Sequence, residues 1–395
     1  MEWKEVRLGD VCTRVCSGGT PKSTNLSYYG GEIPWLNTKE IDFNRIYSTE
    51  KTITDSGLNN SSAKWIVPNT VTVAMYGATA GKSCIVKVPM TTNQACCNLT
   101  INDEVADYEF VYYTLKNDYT TLASLANGGA QQNLNAQIIK DYVLKMPSLA
   151  DQRRIASILS SLDRKIELNN KINADLEEMA QAIFKNWFVD FEPFKNGKFV
   201  DSELGMIPEG WKVGTLADIA EITMGQSPAG NSLNENREGM IFYQGSSDFG
   251  FRFPSIRVFT TEPKRLAVAN SVLFSVRAPV GDINVAKEEC CIGRGVASIK
   301  SKYGHDSYLF YTMKSLHKLF DSFDGEGTVF GSINKKTLSA IQILLPSDGI
   351  VEQFNNIASS FDDRIRSLSD ENSRLSLLRD TLLPRLMSGE LEVPE

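Results

Sequence analysis

Few side chains in this sequence are of types that could carry a reaction. Two histidines, His305 and His317, are the whole supply of imidazole, which leaves little for metal binding or general-base work. Cys12, Cys16, Cys96 and Cys97 can be imagined around a zinc ion, but their spacings fit no common zinc pattern. The segment Gly77 to Ser83, GATAGKS, ends like a phosphate-binding loop. It has one residue too few before its Gly-Lys pair, and the strand-like CIVKV that follows puts no helix N-terminus against a phosphate. Lys82 reads better as a loop cation offered to a phosphate backbone. No Pro-Pro pair occurs, so the Asp/Asn-Pro-Pro-Tyr/Phe motif of amino-methyltransferases is absent. The sequence is that of a chain with no catalysis of its own.

What the sequence does show is a copy of itself. A shift of 199 residues lays Leu162-Asp163 on Phe361-Asp362, Ile166 on Ile365, Asn173 on Asn372, Leu176 on Leu375 and Ile183 on Leu382. Upstream, Trp3, Leu8 and Asp10 match Trp211, Leu216 and Asp218. VPNTVTVAMYGA (67–78) matches VANSVLFSVRAP (268–279), VYYTLK (111–116) matches LFYTMK (309–314), and Asn135 matches Asn334. A repeat of half the chain is a duplicated domain, not a short solenoid unit. Between the anchors the halves differ strongly, so either one frame carries two different reading surfaces or the loops have simply drifted.

The bulk properties are those of a globular chain of two or three cored domains, 395 residues long. The charged start, MEWKEVRLGD, is not a signal peptide, and no apolar run is long enough to span a bilayer. Seven cysteines, four of them in adjacent pairs, read as reduced cytoplasmic thiols. A net charge of −7 argues against a protein that coats nucleic acid by itself. Much of the deficit lies at the C-terminal end, where residues 350–395 carry five Arg and no Lys against nine Asp and Glu.

Two segments predict long helices. Residues 148–192 contain no Gly or Pro, and Ser148 stands at the N-cap with Asp151 three residues on. Leu162, Ile166, Asn169, Asn173, Leu176, Ala180, Ile183 and Trp187 then alternate four and three apart, a heptad seam. The second copy gives Phe361, Ile365, Leu368, Asn372, Leu375, Arg379, Leu382 and Leu386, in a pattern running from about 350 to Pro384. Such helices, about 55–60 Å long at 1.5 Å per residue, are unstable alone. Pairing them with each other, antiparallel, buries both seams. Asn173 and Asn372 either fix the register or lie at a solvated stretch. The remainder mixes strands (TVTVAMY, CIVKV, SVLFSVRA, AIQILLP) with amphipathic helices (YEFVYYTLKNDYTTLASLA, SYLFYTMKSLHKLF). The fold class is therefore α+β. A globule (1–147), a long helix (148–192), a linker (193–210), a second globule (211–346), a second long helix (347–388) and a tail (389–395) follow one another.

The chain resembles the specificity subunits of type I restriction–modification systems over essentially its full length. The resemblance is carried by 150–194, by DSELGMIPEGW (201–211) and by LRDTLLPRLMSGEL (378–391), which look like the family's central and C-terminal conserved regions. GGTP at Gly18 with IPWL at Ile33 and NGGAQQNLN at Asn127 are similar to one subtype of target-recognition domain. FYQGSSDFG (242–250), residues 274–284, CIGRGVAS (291–298) and GTVFGSINKK (327–336) are similar to another. The resemblance implies two pseudo-symmetric α/β target-recognition domains separated by an antiparallel coiled coil, each reading half of a bipartite, asymmetric DNA target. It implies modification subunits, two copies, that methylate adenine at N6 with S-adenosylmethionine. It also implies restriction subunits, two copies, that use ATP and Mg²⁺. No cofactor is expected on this chain, and no membrane.

Base edges are read by Arg, Lys, Asn and Gln, with further donors to phosphates. The candidates in the first globule are Lys22, Asn37, Tyr76, Lys82, Gln131, Gln132 and Asn133; those in the second are Gln244, Ser246, Arg252, Arg277, Arg294 and Lys335. The GGAQQNLN run either contacts DNA or is a polar turn capping the next element. Arg294, between Gly293 and Gly295, either reaches a groove or forms a buried ion pair. Leu162, Ile166, Asn173, Leu176, Ile183, Phe361, Ile365, Asn372, Leu375 and Leu382 are expected to pair the helices. Arg153, Arg154, Arg364 and Arg366 either dock partners or are solvated. The rivals are a scaffold of two interaction modules without DNA, and a solitary enzyme.

Overall fold

In the computed structural model, residues 2–127, 133–321 and 331–393 are described. Their contacts divide the chain into two compact units, Met1–Leu168 with Glu371–Glu395, and Asn169–Asp370. Each unit is a globule plus half of each long helix.

In the first unit, a five-stranded sheet runs in the order Cys12–Ser17, Cys96–Ile101, Val71–Ala74, Ser83–Val86 and Arg45–Ile46. Val71–Ala74 and Ser83–Val86 are buried at every residue, as befits β-branched strands covered on both faces. The covering helix, Tyr108–Asn117, has seven buried residues. A second sheet joins Thr52–Ile53, Tyr29–Leu36, Met90–Thr92 and Trp65–Ile66. The second unit repeats the plan. A four-stranded sheet runs Ala220–Met224, Val296–Ser301, Val272–Ser275 and Ile283–Val285, and the helix Asp306–Ser315 is buried over seven residues. Its other sheet joins Leu233–Asn234, Val258–Thr260, Met240–Tyr243, Cys290–Ile292 and Leu266–Ala267.

The central helix spans Leu149–Phe188 and the C-terminal helix Asp348–Met387, 40 residues each. The Ser148 hydroxyl accepts from the Asp151 N–H at 3.2 Å and donates to its carboxylate at 2.8 Å, the expected cap. The C-terminal helix does not stop at Pro384, as its pattern suggests; it continues to Met387. Proline forfeits one intrahelical hydrogen bond, and Leu383, Leu386 and Met387, buried in the first unit's core, hold the last turn in place.

Pairing within each unit is antiparallel. In the first, the start of the central helix meets the end of the other: Asp163 accepts from Arg379 at 2.7 Å, and Lys165 pairs with Glu371 at 3.6 Å. In the second, Phe184 and Phe188 near the end of the central helix meet Phe354 edge-on, with ring centroids 5.5 and 5.3 Å apart.

The predicted seam is covered in part, at Asn169, Asn173, Ala180, Leu368 and Leu386. Leu162, Ile166, Leu176, Ile183, Phe361, Asn372, Leu375 and Leu382 are half-buried, whereas Ile365 is fully covered. The other covered positions on the central helix include Leu159, Asp163, Glu177, Phe184 and Phe188. Each half-helix packs on its globule as well as on its partner helix, so the row between those two surfaces is the most enclosed. Asn173 is 3% exposed, so the solvated alternative does not hold there.

Candidate nucleic-acid interface

Six backbone hydrogen bonds build the same loop cluster in both units. The N–H of Gly18 donates to the Cys96 carbonyl at 3.2 Å, and that of Gly225 to Val296 at 2.9 Å. Gly19 donates to Thr92, and Gln226 to Ile292; Asn93 donates to Leu36, and Gly293 to Tyr243. Cys96 donates to Asn93, and Val296 to Gly293; Met75 donates to Ala95, and Val276 to Gly295. Finally, Leu134 donates to Met75, and Ile333 to Val276. The turns over Gly18 and Gly225 are glycine for one reason. A Cβ on Gly18 would stand 2.2 Å from the Thr92 carbonyl oxygen, and one on Gly225 would stand 2.1 Å from that of Gly293.

This correspondence fixes which side chains share a place. Asn37 corresponds to Gln244, Tyr76 to Arg277, Gln94 to Arg294, Asn133 to Ser332 and Ala136 to Lys335. Gln94 was not singled out in the sequence, because its neighbours Asn93 and Ala95 lack the glycines that frame Arg294. Tyr76, Gln94, Asn133, Gln244, Arg277, Arg294 and Lys335 are exposed, and Ser246 is half-buried at the head of a short turn. Lys22 is exposed beyond the Gly18–Pro21 turn. Gln131 and Gln132 lie outside the described residues. Ser227 ties the second cluster together, its hydroxyl donating to Gln244 Oε1 at 3.0 Å and accepting from the Arg294 N–H at 3.2 Å. Arg277, Arg294 and Lys335 pair with no carboxylate among the described residues. At the three matching places the first unit has Tyr, Gln and Ala.

Four candidates are corrected. Arg252 does not face solvent: its side chain is 3% exposed. It donates to Asp362 at 2.5 Å, to the Tyr311 hydroxyl at 2.9 Å and to Glu177, and lies 4.1 Å over the Phe310 ring. Lys82, half-buried, is neutralised by Asp42 at 2.5 Å. Asn37 turns inward; its Nδ2 is buried and its Oδ1 accepts from Asn93 at 3.2 Å. Arg366, rather than standing ready for a partner, donates to the Lys287 carbonyl at 2.9 Å and covers Phe253. Arg153 and Arg364 remain exposed, and Arg154 pairs with Asp151 at 3.2 Å.

Arg252 has a counterpart, Arg45. That guanidinium, equally enclosed, reaches Glu167 at 2.9 Å, Glu109 at 3.2 Å and the Tyr113 hydroxyl at 3.4 Å. Burial alone lowers its affinity for a proton, but Tyr113 and Glu167 more than offset this and hold it raised. In both units, then, an arginine from the globule's divergent region reaches carboxylates on the long helices. It fixes the globule, and with it the loop cluster, on its helical base. Neither arginine can touch DNA from there.

Burial pushes Cys97 and Cys290 up to about 12 and Cys84 and Cys96 well above the ordinary thiol range, which suppresses the thiolate a metal needs. Among the described residues no group of His, Cys, Asp and Glu is arranged for a metal ion, and no helix is long and apolar enough to cross a membrane.

The duplicated plan has parallels in known proteins. The family model for the type I restriction modification DNA specificity domain matches twice, over residues 1–178 and 208–376. The chain is similar to the type I restriction enzyme MjaIX specificity subunit of Methanocaldococcus jannaschii, at 28% identity over 100% of this chain and 94% of that one. It is 25% identical to the HindI specificity subunit of Haemophilus influenzae, over 72% and 77% of the two chains. Among solved structures, the S subunit of a type I system from M. genitalium has the same fold, with a TM-score of 0.61 over 98% and 96% of the chains at 18% identity.

Proposed function

This chain belongs to the family of type I restriction modification DNA specificity domains, and from that premise we propose that it reads a bipartite, asymmetric target in double-stranded DNA, one half-site per unit. It is a specificity subunit with no catalysis of its own. The reading is carried by one observation: the same six hydrogen bonds frame a loop cluster in each unit, yet the clusters present different side chains. Arg277, Arg294 and Lys335 on one side suit guanine edges and phosphates; Tyr76, Gln94 and Asn133 on the other suit a different sequence. A scaffold without DNA gives no reason for three cations unpaired among the described residues on one copy of a shared frame.

The chain works in the cytoplasm with two modification subunits, which bring S-adenosylmethionine and methylate adenine at N6, and two restriction subunits, which bring ATP and Mg²⁺. The long helices set the spacing of the half-sites and hold the partners. A gel shift of the chain assembled with its modification subunit, at stated salt because phosphate contacts are salt-sensitive, tests the reading. Retention of one sequence out of a randomised duplex pool is expected. Retention of no duplex would favour the scaffold, and uniform binding of the pool would overturn the reading of sequence.

A further inference from the structure

Gln94 and Arg294 hold one place in two copies of one loop. Each follows a residue whose N–H donates to the neighbouring strand, Asn93 to Leu36 at 2.9 Å and Gly293 to Tyr243 at 2.8 Å. Each precedes a residue whose carbonyl accepts from the next strand, Ala95 from Met75 at 2.8 Å and Gly295 from Val276 at 3.0 Å. The backbone is thus pinned on both sides of an exposed side chain. The pinning is tight: a Cβ on Gly293 would stand 2.6 Å from Gln244 Oε1, and one on Gly295 would stand 2.6 Å from the Gln244 carbonyl oxygen. Neither the Gln94 amide nor the Arg294 guanidinium pairs with a charged side chain among the described residues, so the fold makes no visible use of either head group. A planar amide and a planar guanidinium both suit bidentate bonding to a purine edge, Gln to adenine and Arg to guanine.

We propose that Gln94 and Arg294 are matched base-reading residues, one per unit, with Gln94 selecting an adenine in one half-site and Arg294 a guanine in the other. This rests on the proposed function and goes beyond it by naming the residue and the base. The neighbouring Arg277 and Lys335 then serve the phosphates that flank the guanine.

The test is methylation mapping of host DNA with the full chain and its modification subunit, comparing wild type with Gln94→Ala, Arg294→Ala and Arg294→Lys. The wild type is expected to give two half-sites at a fixed gap. Arg294→Ala should relax one guanine position in one half-site by roughly 5- to 150-fold and leave the other half-site unchanged. Gln94→Ala should relax one adenine in the opposite half-site. Arg294→Lys keeps the charge but loses the planar fork, so it should relax the same guanine. Rescue by lysine, or a uniform loss of methylation with every position still selected, would make Arg294 a phosphate contact and overturn the assignment. Variants that keep the full wild-type motif would overturn it too, with the proposed function intact. A wild type with no bipartite motif would take both down.

Discussion

The Arg252 guanidinium lies 2.5 Å from the Asp362 carboxylate of the C-terminal helix, enclosed between the globule and the helices of the second unit. Because Glu177 and Tyr311 share the same guanidinium, removing it takes the shared cation from two carboxylates and leaves Lys314 to Glu177 and the Ser307 hydroxyl to Asp362. Arg252→Met is expected to cost about 3–5 kcal/mol, the usual penalty for breaking a buried pair from one side. Urea unfolding measures it. A loss under 1 kcal/mol would mean that Arg252 does not anchor the globule.

The glycine turns should be sensitive in a selective way. Gly225→Ala drives a methyl into the Gly293 carbonyl, whereas nothing lies within 4 Å of a Cβ on Gly230. The first substitution is expected to displace the loop bearing Arg294, costing about 1–3 kcal/mol of strain and at least a tenfold loss of target affinity. The second should bind as wild type. Equal binding by both would show that the loop does not depend on that close approach.

The thiols supply a pH test. Folding raises Cys12, Cys97 and Cys290 to about 12, chiefly by burial. A group whose pKa is raised on folding stabilises the native state fully below its unfolded value and loses that contribution as pH climbs towards the folded one. Stability is therefore expected to fall from about pH 9 upwards, measured by urea midpoints across that range. At pH 8, Cys84, Cys96, Cys97, Cys290 and Cys291 should resist a thiol-specific disulfide reagent until the chain unfolds. Rapid reaction of all seven cysteines in the native protein would contradict their burial.

Helix length carries a prediction of its own. Deleting one heptad from each helix, residues 169–175 and 368–374, spares the carboxylates that hold Arg45 and Arg252 and removes about 10 Å of rise. At 3.4 Å per base pair the gap between half-sites should shrink by about three base pairs, with both half-sites unchanged. The gap is read from the methylated sequences; an unaltered gap would show that the helices do not set it.

Much of this architecture was legible in the sequence, because it rests on periodicity and repetition. The 199-residue shift placed Asp163 on Asp362, the match of VYYTLK with LFYTMK placed Tyr113 on Tyr311, and both pairs sit at the buried arginines. The arginines themselves were not legible as a pair. Arg45 and Arg252 stand in divergent segments with no alignment to match them, and a guanidinium among loop residues looks the same whether it faces solvent or an enclosed carboxylate. Asp163 and Glu177 escaped the core for the same reason: helical pattern treats carboxylates as exterior. Gln94 was hidden because only the hydrogen bonds of its backbone, not its neighbours' identities, reveal the match with Arg294.

Two dissimilar half-sites read by one duplicated frame is the central claim, and sequencing the methylated adenines of a host that carries this chain and its modification subunit tests it most directly. The expected result is a single motif of two unlike half-sites separated by a constant gap. A palindromic motif, a continuous one, or methylation without any shared sequence would contradict it.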